Sequence, residues 1–399
     1  MAGNPGARPR LLVLGAGPAQ LGLLEAARAR GDLDVIAVDR DPAAPGFPLA
    51  TERAVLSSED EEAIDRLARA RGVDGIVSPG ADWPVGIAAR VAARLALPHP
   101  IDRATGALAT SKARQREAFA AAGVPHARAL DPRDPGLAYP CVVKAPDRQG
   151  QRGLTLVQAA DELGRALSEA RAESRSGTVL VEEVVSGPEL TVNAFSVDGR
   201  FVPLTVTDRL TAEPPAFGVA LAHVWPSAYD TEAVVETARA AVEALGIRSG
   251  PTYTQVRLGA GGPVVMEVAA RLGGGHDAEL CEAATGVDLN GLAIDAALGG
   301  ARHGLLRAAA VREGGAAIVF LVPPVGRLVS VDGAEEARAM AGVRWVRVYR
   351  RPGHVLGPLR RGADRAGAVL ATGPSREEAL ERARRASDAV RFRVDADAA

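Results

Sequence analysis

The sequence predicts a mixed α/β and α+β protein, and three observations predict it. Residues 10–100 alternate strand and helix patterns. Residues 251–280, PTYTQVRLGAGGPVVMEVAARLGGGHDAEL, read as two strands joined at Gly261-Gly262. Glu267 ends the second strand, Arg271 follows four residues later, and Gly273 to Gly275 form a flexible run. From about Ala309 short strands return and close on an amphipathic helix. A fixed acid beside a fixed cation and a flexible loop suits Mg²⁺ and phosphate handling.

The first region opens with RLLVLGAG, an apolar strand running into glycines. A helix (QLGLLEAARARG), a strand (DVIAVDRD), a helix (EEAIDRLARARG), a strand (DGIVSPG) and a helix (VGIAARVAARLA) follow. This order implies a parallel, Rossmann-like sheet over residues 1–105. Ligands of such a sheet gather at the strand carboxyl ends, near Gly15, Gly17, Asp39 and Ser78. Next, SKARQREAFAAAGVP reads as a helix capped by Ser111 and ended by Gly123. YPCVVKAPDRQGQRGLTLV reads as strand, glycine-containing loop, strand, followed by a helix from about Ala160 to Ala172. TVLVEEVVSGPELTVNAFSVDGRFVPL gives three short strands, with turns at Ser186-Gly187-Pro188 and Asp198-Gly199. Helices at about Thr231–Leu245 and Asp288–Ala297 flank the 251–280 segment. In the last region AAIVFLVPP, VRWVRVYRR and GAVLATG read as strands. SREEALERARRASDAV reads as a helix with Ser375 as N-cap and Glu378 at the capping-box position.

A chain of 399 residues is long enough for about two to four domains. Hydrophobic content of 47% supplies the cores, and 24% charged residues is ordinary for a water-soluble protein. The net charge of −2 gives no basic footprint for nucleic acid. No apolar run approaches the roughly 18 residues that span a bilayer. MAGNPGARPR lacks the apolar stretch of a signal peptide, so a cytoplasmic location is expected. Two distant cysteines, Cys141 and Cys281, make neither a disulfide framework nor a zinc site and read as core thiols.

The segment Gly15-x-Gly17-x-x-Gln20 is a partial dinucleotide fingerprint. Its third position should be Gly or Ala, although Asp39 does end the second strand. A tight strand–helix turn without a dinucleotide explains it equally well. No GxxxxGK[ST] loop occurs, so an ATP user must hold phosphates differently. Lys144 ends a strand before a loop with Gly150 and Gly153, where a lysine can bind phosphate oxygens as a point charge and the loop can close over them. Taken alone, this is equally a surface lysine on a plain hairpin. Glu182, Glu183 and Glu189 surround a strand–turn–strand that can offer backbone groups to an adenine and a carboxylate to a ribose.

The ordered set Lys112, Lys144, a glycine-containing loop, VEEVVSGPE and PVVMEVAARLGGG resembles the ATP-grasp superfamily over roughly residues 10–300. Within it, GPTYTQVRL and MEVAARLGGG are most similar to the L-amino-acid ligase group, the dipeptide-forming carboxylate–amine ligases. FLVPPVGRLVSVDG and GAVLATGPSREEALERA resemble that group's terminal domain. The resemblance implies a Rossmann-like domain (1–105), a two-lobed ATP-grasp domain (106–305, divided at 180/181) and a C-terminal α+β appendix (306–399). It implies ATP and Mg²⁺ as cofactors and amino acids as substrates. Lys112 and Lys144 would contact phosphates under the loop of Gly150 and Gly153. Glu182, Glu183 and the backbone at Val185 would face adenine, and Glu189 the ribose. Glu267 would bridge Mg²⁺, with Gln255 at the other metal position. Arg271 would stabilise an acyl phosphate, while His223, Gly274 and His276 would line the substrate side.

Two positions depart from that pattern. The family's first metal ligand is a glutamate, where this chain has Gln255. An Asn often follows the second glutamate by two residues, where this chain has Ala269. Gln255 can coordinate through a neutral amide oxygen, and ATP phosphates supply much of a Mg²⁺ ion's ligation. The expected activity is ATP-dependent amide formation through an acyl phosphate. The alternatives are a bicarbonate-dependent ATP-grasp carboxylase, a nucleotide-binding protein whose catalysis lapsed at Gln255, and a NAD-dependent enzyme. A homodimer accords with the common C₂ preference.

Overall fold

The computed structural model describes residues 8–300 and 313–395. Strands β1 (Arg10–Leu14), β2 (Asp34–Asp39), β3 (Glu52–Val55) and β4 (Gly75–Val77) form a parallel sheet in the order β3-β2-β1-β4. Helices α1 (Leu21–Arg30), α2 (Glu61–Arg71) and α3 (Asp82–Leu95) alternate with the strands. β1 is apolar and buried from Leu11 to Leu14 because both its faces are covered. Leu11 and Val13 enter one core with Leu24, and Leu12 and Leu14 enter another with Ile64 and Ile87. Asp60 caps α2, its carboxylate accepting from Ala63 N at 3.0 Å.

Helices α4 (Arg103–Ala109) and α5 (Lys112–Ala121) lead to a small antiparallel sheet in the order β6-β5-β7. Its strands are β5 (Cys141–Lys144), β6 (Leu154–Val157) and β7 (Leu180–Glu183). Helix α6 (Ala160–Glu173) closes its apolar face through Ala166 and Ala170 against Val143 and Val157. Ser111 caps α5 as expected, accepting from Arg114 N.

The chain continues through β8 (Glu189–Val197), β9 (Arg200–Thr211), β10 (Ala220–Trp225), α7 (Glu232–Ala244), β11 (Gly250–Gly259), β12 (Gly262–Ala269), α8 (Asp277–Thr285) and α9 (Leu289–Ala297). After residue 313 come β13 (Gly315–Leu321), β14 (Gly326–Asp332), β15 (Val343–Val348), β16 (Val355–Leu356), β17 (Gly367–Gly373) and β18 (Arg391–Asp395). Eight of these strands make one sheet in the order β12-β11-β8-β9-β10-β13-β17-β15. Three strands of the expected C-terminal appendix thus continue the central sheet, with β13 hydrogen-bonded to β10. Strands β16, β14 and β18 pair separately. The boundary expected at 305/306 lies outside the described residues. Helix α9 packs Ala293 and Ile294 into the core that holds Leu11 and Leu24, so the Rossmann-like unit rests on the large sheet's helices.

Several local expectations change. The hairpin turn is Ala260-Gly261, because Gly259 pairs with Gly262 and moves the turn one residue earlier. β8 and β9 are 9 and 12 residues long rather than short, and β9 runs on through Pro203, where the register with β8 shifts. Strand β10 and helices α4 and α8 were not foreseen. α4 and α8 are 7 and 9 residues long, too short for a periodic pattern to stand out. Cys141 and Cys281 are buried and free, as expected of core thiols.

Candidate active site

Pairing in the small sheet sets the first part of the site. Lys144 lies opposite Leu180 and Val142 opposite Glu182, so Lys144 and Glu182 share one face at the two-residue period. The Lys144 ammonium pairs with the Glu182 carboxylate, and Arg116 Nε donates to Glu182 Oε1 at 2.6 Å. Arg116 also donates to Met266 O at 2.7 Å, which ties α5 and β7 to β12. Burial lowers the Lys144 pKa to about 8, partly offset by Glu182. Burial pushes the Glu182 carboxyl up, but Lys144 and Arg116 outweigh it and hold it below the usual range.

The loop after β5 closes on itself through Ala145 N and Gly153 O at 3.0 Å. Gly153 has φ +62, and a Cβ there would stand 2.9 Å from the Glu173 Cβ. Except for Gly153, every residue expected at the nucleotide lines one cavity between the small sheet and β11–β12: Lys112, Lys144, Gly150, Glu182, Glu183, Val185 and Glu189. Within it the Glu189 carboxylate is held by Arg209 at 2.6 Å and Arg257 at 3.0 Å.

Gln255 and Glu267 oppose each other in the β11–β12 register. Glu267 Oε1 lies 3.0 Å from Lys112 Nζ, which also donates to Arg148 O at 2.8 Å. Burial pushes the Glu267 carboxyl up, but Lys112 and Arg271 bring it below the ordinary value. Among the described residues no group of three His, Cys, Asp or Glu side chains gathers as a metal cage. One carboxylate and one amide oxygen fit a Mg²⁺ ion that completes its shell with phosphate oxygens, and do not fit an all-protein centre. Arg271 is buried, and its Nε and Nη2 donate to Asp82 Oδ1 at 2.6 and 2.5 Å. Asp82 opens α3 at the carboxyl end of β4, the side of the parallel sheet where ligands collect.

His223, Arg271, Gly274 and His276 all line a second cavity of about 390 Å³. Gly150 and Gln255 border both cavities, so the two meet there. His223 lies fully inside, 1% exposed, and neither ring nitrogen makes a hydrogen bond. Burial lowers its pKa to about 4, so the ring is neutral at physiological pH. A Cβ on Gly275 would stand 2.9 Å from His223 Nε2, which accounts for glycine at that point of the run. His276 takes φ +62; its Nδ1 sits 3.0 Å from Glu279 Oε1, and its Nε2 hydrogen-bonds the Tyr349 hydroxyl.

At the N-terminal glycines, Asp39 is occupied by the backbone: Oδ2 accepts from Ala16 N at 2.9 Å and Oδ1 from Asp41 N at 3.0 Å. The Gln20 side chain covers Gly15, whose Cβ would meet Gln20 Cδ at 2.9 Å. These contacts suit the tight strand–helix turn.

A family model described as the ATP-grasp domain matches residues 137–279, which carry Lys144, Glu182, Glu189, Glu267 and Arg271. The chain carries an ATP-grasp domain. A second model, L-amino acid ligase C-terminal domain 2, matches residues 319–395 behind it. ATP-grasp enzymes are ADP-forming ligases that use ATP and Mg²⁺. An uncharacterized protein of Sinorhizobium fredii is 28% identical over 409 residues, covering 93% of this chain and 82% of that protein. A formate-dependent phosphoribosylglycinamide formyltransferase of Burkholderia lata is 29% identical over 416 residues, covering 96% and 95%. The crystal structure of an L-amino acid ligase from Bacillus licheniformis shares the fold with a TM-score of 0.84, at 23% identity over 97% of this chain and 99% of that one. No helix among the described residues is long and apolar enough to cross a membrane.

Sequence reasoning missed Asp82, Arg116 and Arg209, which hold Arg271, Glu182 and Glu189 in place. Asp82 lies four residues past Ser78, so the strand-end rule reached its neighbourhood without naming it. Arg116 and Arg209 carry no local motif. Their roles come from partners 66 and 20 residues away.

Proposed function

We propose that this protein is an ADP-forming carboxylate–amine ligase that joins amino acids through an acyl phosphate. The observation that carries this reading is the junction of the two cavities at Gln255, with Glu267 and Lys112 on one side and Arg271 on the other. The proposed division is a Rossmann-like unit (1–105), an ATP-grasp domain (106–305) and a C-terminal unit (306–399).

In this reading ATP lies in the first cavity. Lys112 and Lys144 bind its phosphates as point charges. Glu182 holds Lys144 in place, the strand edge at Glu183 and Val185 meets adenine, and Glu189 accepts from the ribose hydroxyls. The 147–153 loop covers the phosphates and keeps water from the activated acid. Glu267 and the Gln255 amide oxygen would hold a Mg²⁺ ion, which would supply charge neutralisation for the phosphoryl transfer. A substrate carboxylate oxygen attacks the γ-phosphorus, and the bond to ADP breaks. Arg271 then faces the acyl phosphate. An amine nitrogen attacks the acyl carbon, phosphate leaves with the bonding electron pair, and the amine gives up a proton to form the amide. No protein nucleophile is needed, because the catalysis is positioning and electrostatic stabilisation.

The test is phosphate release from Mg-ATP across paired amino acids, with and without bicarbonate, alongside mass detection of new amides. Release that needs two amino acids and yields an amide supports the ligase. Release that needs bicarbonate replaces it with a carboxylase. ATP binding without release under any pair leaves a nucleotide-binding protein.

A further inference from the structure

The second cavity holds more positive charge than one reacting carboxylate requires. Five arginines line it: Arg152, Arg209, Arg271, Arg350 and Arg365. No aspartate or glutamate lines it. Two of the arginines are neutralised in place, Arg271 by Asp82 and Arg209 by Glu189. Arg350 and Arg365 have only backbone carbonyls. Arg350 donates to Ala363 O, and Arg365 donates to Gly362 O at 2.8 Å and Ala220 O at 3.3 Å. The Arg365 guanidinium stacks 3.6 Å over the Phe320 ring, which fixes its plane. Among the described residues no carboxylate comes within ion-pair distance of Arg350 or Arg365.

The electrostatics agree with the geometry. Burial lowers the Arg365 pKa to about 10, and the nearby Arg209 adds to that lowering. Burial likewise lowers Arg350 and Arg152. Asp277 near Arg365 and Asp364 near Arg350 oppose the lowering without pairing with either, and half-buried cations that no carboxylate pairs are costly unless an anion arrives.

The cavity also divides by position. Arg152, Arg209 and Gln255 border both cavities, at the junction where phosphoryl transfer is placed. Arg350 and Arg365 border only the second and come from the C-terminal segment. Anionic chemistry at the junction therefore leaves these two free. His223, neutral and with neither ring nitrogen hydrogen-bonded, faces the same space, its Nδ1 3.4 Å from the buried Asp277 Oδ1. Gln255 fits the pattern, since a glutamate there would set a second negative charge at the entrance.

We propose that the second cavity takes a dianionic acid: a carboxylic acid with a further oxyanion group, carboxylate or phosphate, gripped by Arg350 and Arg365. The inference rests on the ligase reading for which end of the substrate reacts.

Calorimetric titration of the full chain with Mg-ADP present tests it. Succinate is compared with butyrate, aspartate with 2-aminobutyrate, and 3-phosphonopropionate with butyrate. Each dianion is expected to bind at least about tenfold tighter than its monoanion, and the succinate and phosphonate arms separate carboxylate from phosphate as the second group. Arg350→Gln and Arg365→Gln should each reduce the preference, with monoanion affinity unchanged, and Arg365→Lys should restore part of it. Equal affinities in the wild-type protein overturn the proposal. So does a preference that survives both Gln changes in a protein of unaltered melting temperature. Parallel phosphate-release assays separate the two readings. Dianion preference without amine-dependent release leaves the inference and removes the ligase. Faster turnover of monoanionic amino acids removes the inference and leaves the ligase.

Discussion

Arg271 donates through two nitrogens to a single oxygen of Asp82, a residue 189 positions earlier in the chain. The pair joins the first turn of α3 to the segment after β12. It links the Rossmann-like unit to the second cavity, which Arg271 lines.

Asp82→Ala leaves a buried guanidinium without its counter-charge. Removing one partner of a buried pair costs about 3 kcal/mol or more. Chemical denaturation should show a loss of that order, and Asp82→Asn a smaller one because the amide oxygen still accepts. Wild-type stability in Asp82→Ala would show that Arg271 finds another partner.

Gln255→Glu places a second carboxylate opposite Glu267. The Mg²⁺ concentration for half-maximal ATP turnover should fall several-fold, as a hard cation gains an anionic ligand. The same change should raise the KM for the acid, because it adds negative charge to the cavity that holds it. Glu267→Ala should abolish Mg²⁺-dependent turnover in a folded protein. Its circular dichroism should match that of the wild type, and wild-type turnover would remove Glu267 from the metal site.

The Lys144 pKa of about 8 gives opposite pH trends for stability and binding. In the unfolded chain a lysine titrates near ~10.4. Between about pH 8 and ~10.4 the unfolded state binds more protons than the folded one, so this group raises stability with pH in that window. ATP binding needs the charged ammonium and should weaken by an order of magnitude between about pH 7 and pH 9. Lys144→Arg keeps its charge and should flatten the ATP-binding profile. An identical pH profile in the arginine variant would exclude Lys144 as the group responsible.

Gly274 lies beside Gly80 O, 3.4 Å from where its Cβ would stand, at the wall of the second cavity. Gly274→Trp should fill part of that space and shift preference toward smaller acids, read as relative kcat/KM. Unchanged preference would remove Gly274 from the substrate wall.

The gathering of residues around the first cavity was legible because they sit in short runs. VVK ends a strand, VEEVVSGPE is a strand–turn–strand, and MEVAAR places Glu267 and Arg271 four residues apart. Strand periodicity then fixes which side chains share a face, as it does for Lys144 and Glu182. The second cavity was only partly legible. His223, Gly274 and His276 lie in or near those runs, whereas Asp82, Arg350 and Arg365 reach the site only through packing between distant segments. A lone arginine after a loop looks the same in sequence whether it faces solvent or a cavity. The hairpin turn moved by one residue because strand register decided it, and glycine is tolerated at either place.

The pairing of β10 with β13 has a consequence for modularity. The matched C-terminal domain is no detachable cassette, because its strands extend the sheet that carries Glu189, Gln255 and Glu267. A chain ending near residue 300 would leave β10 as an open edge, with the N–H and C=O groups that paired with β13 unsatisfied. Such an edge invites pairing with other chains, and aggregation is its expected fate. Exchanging this domain between relatives therefore means matching a β-ladder rather than choosing a linker.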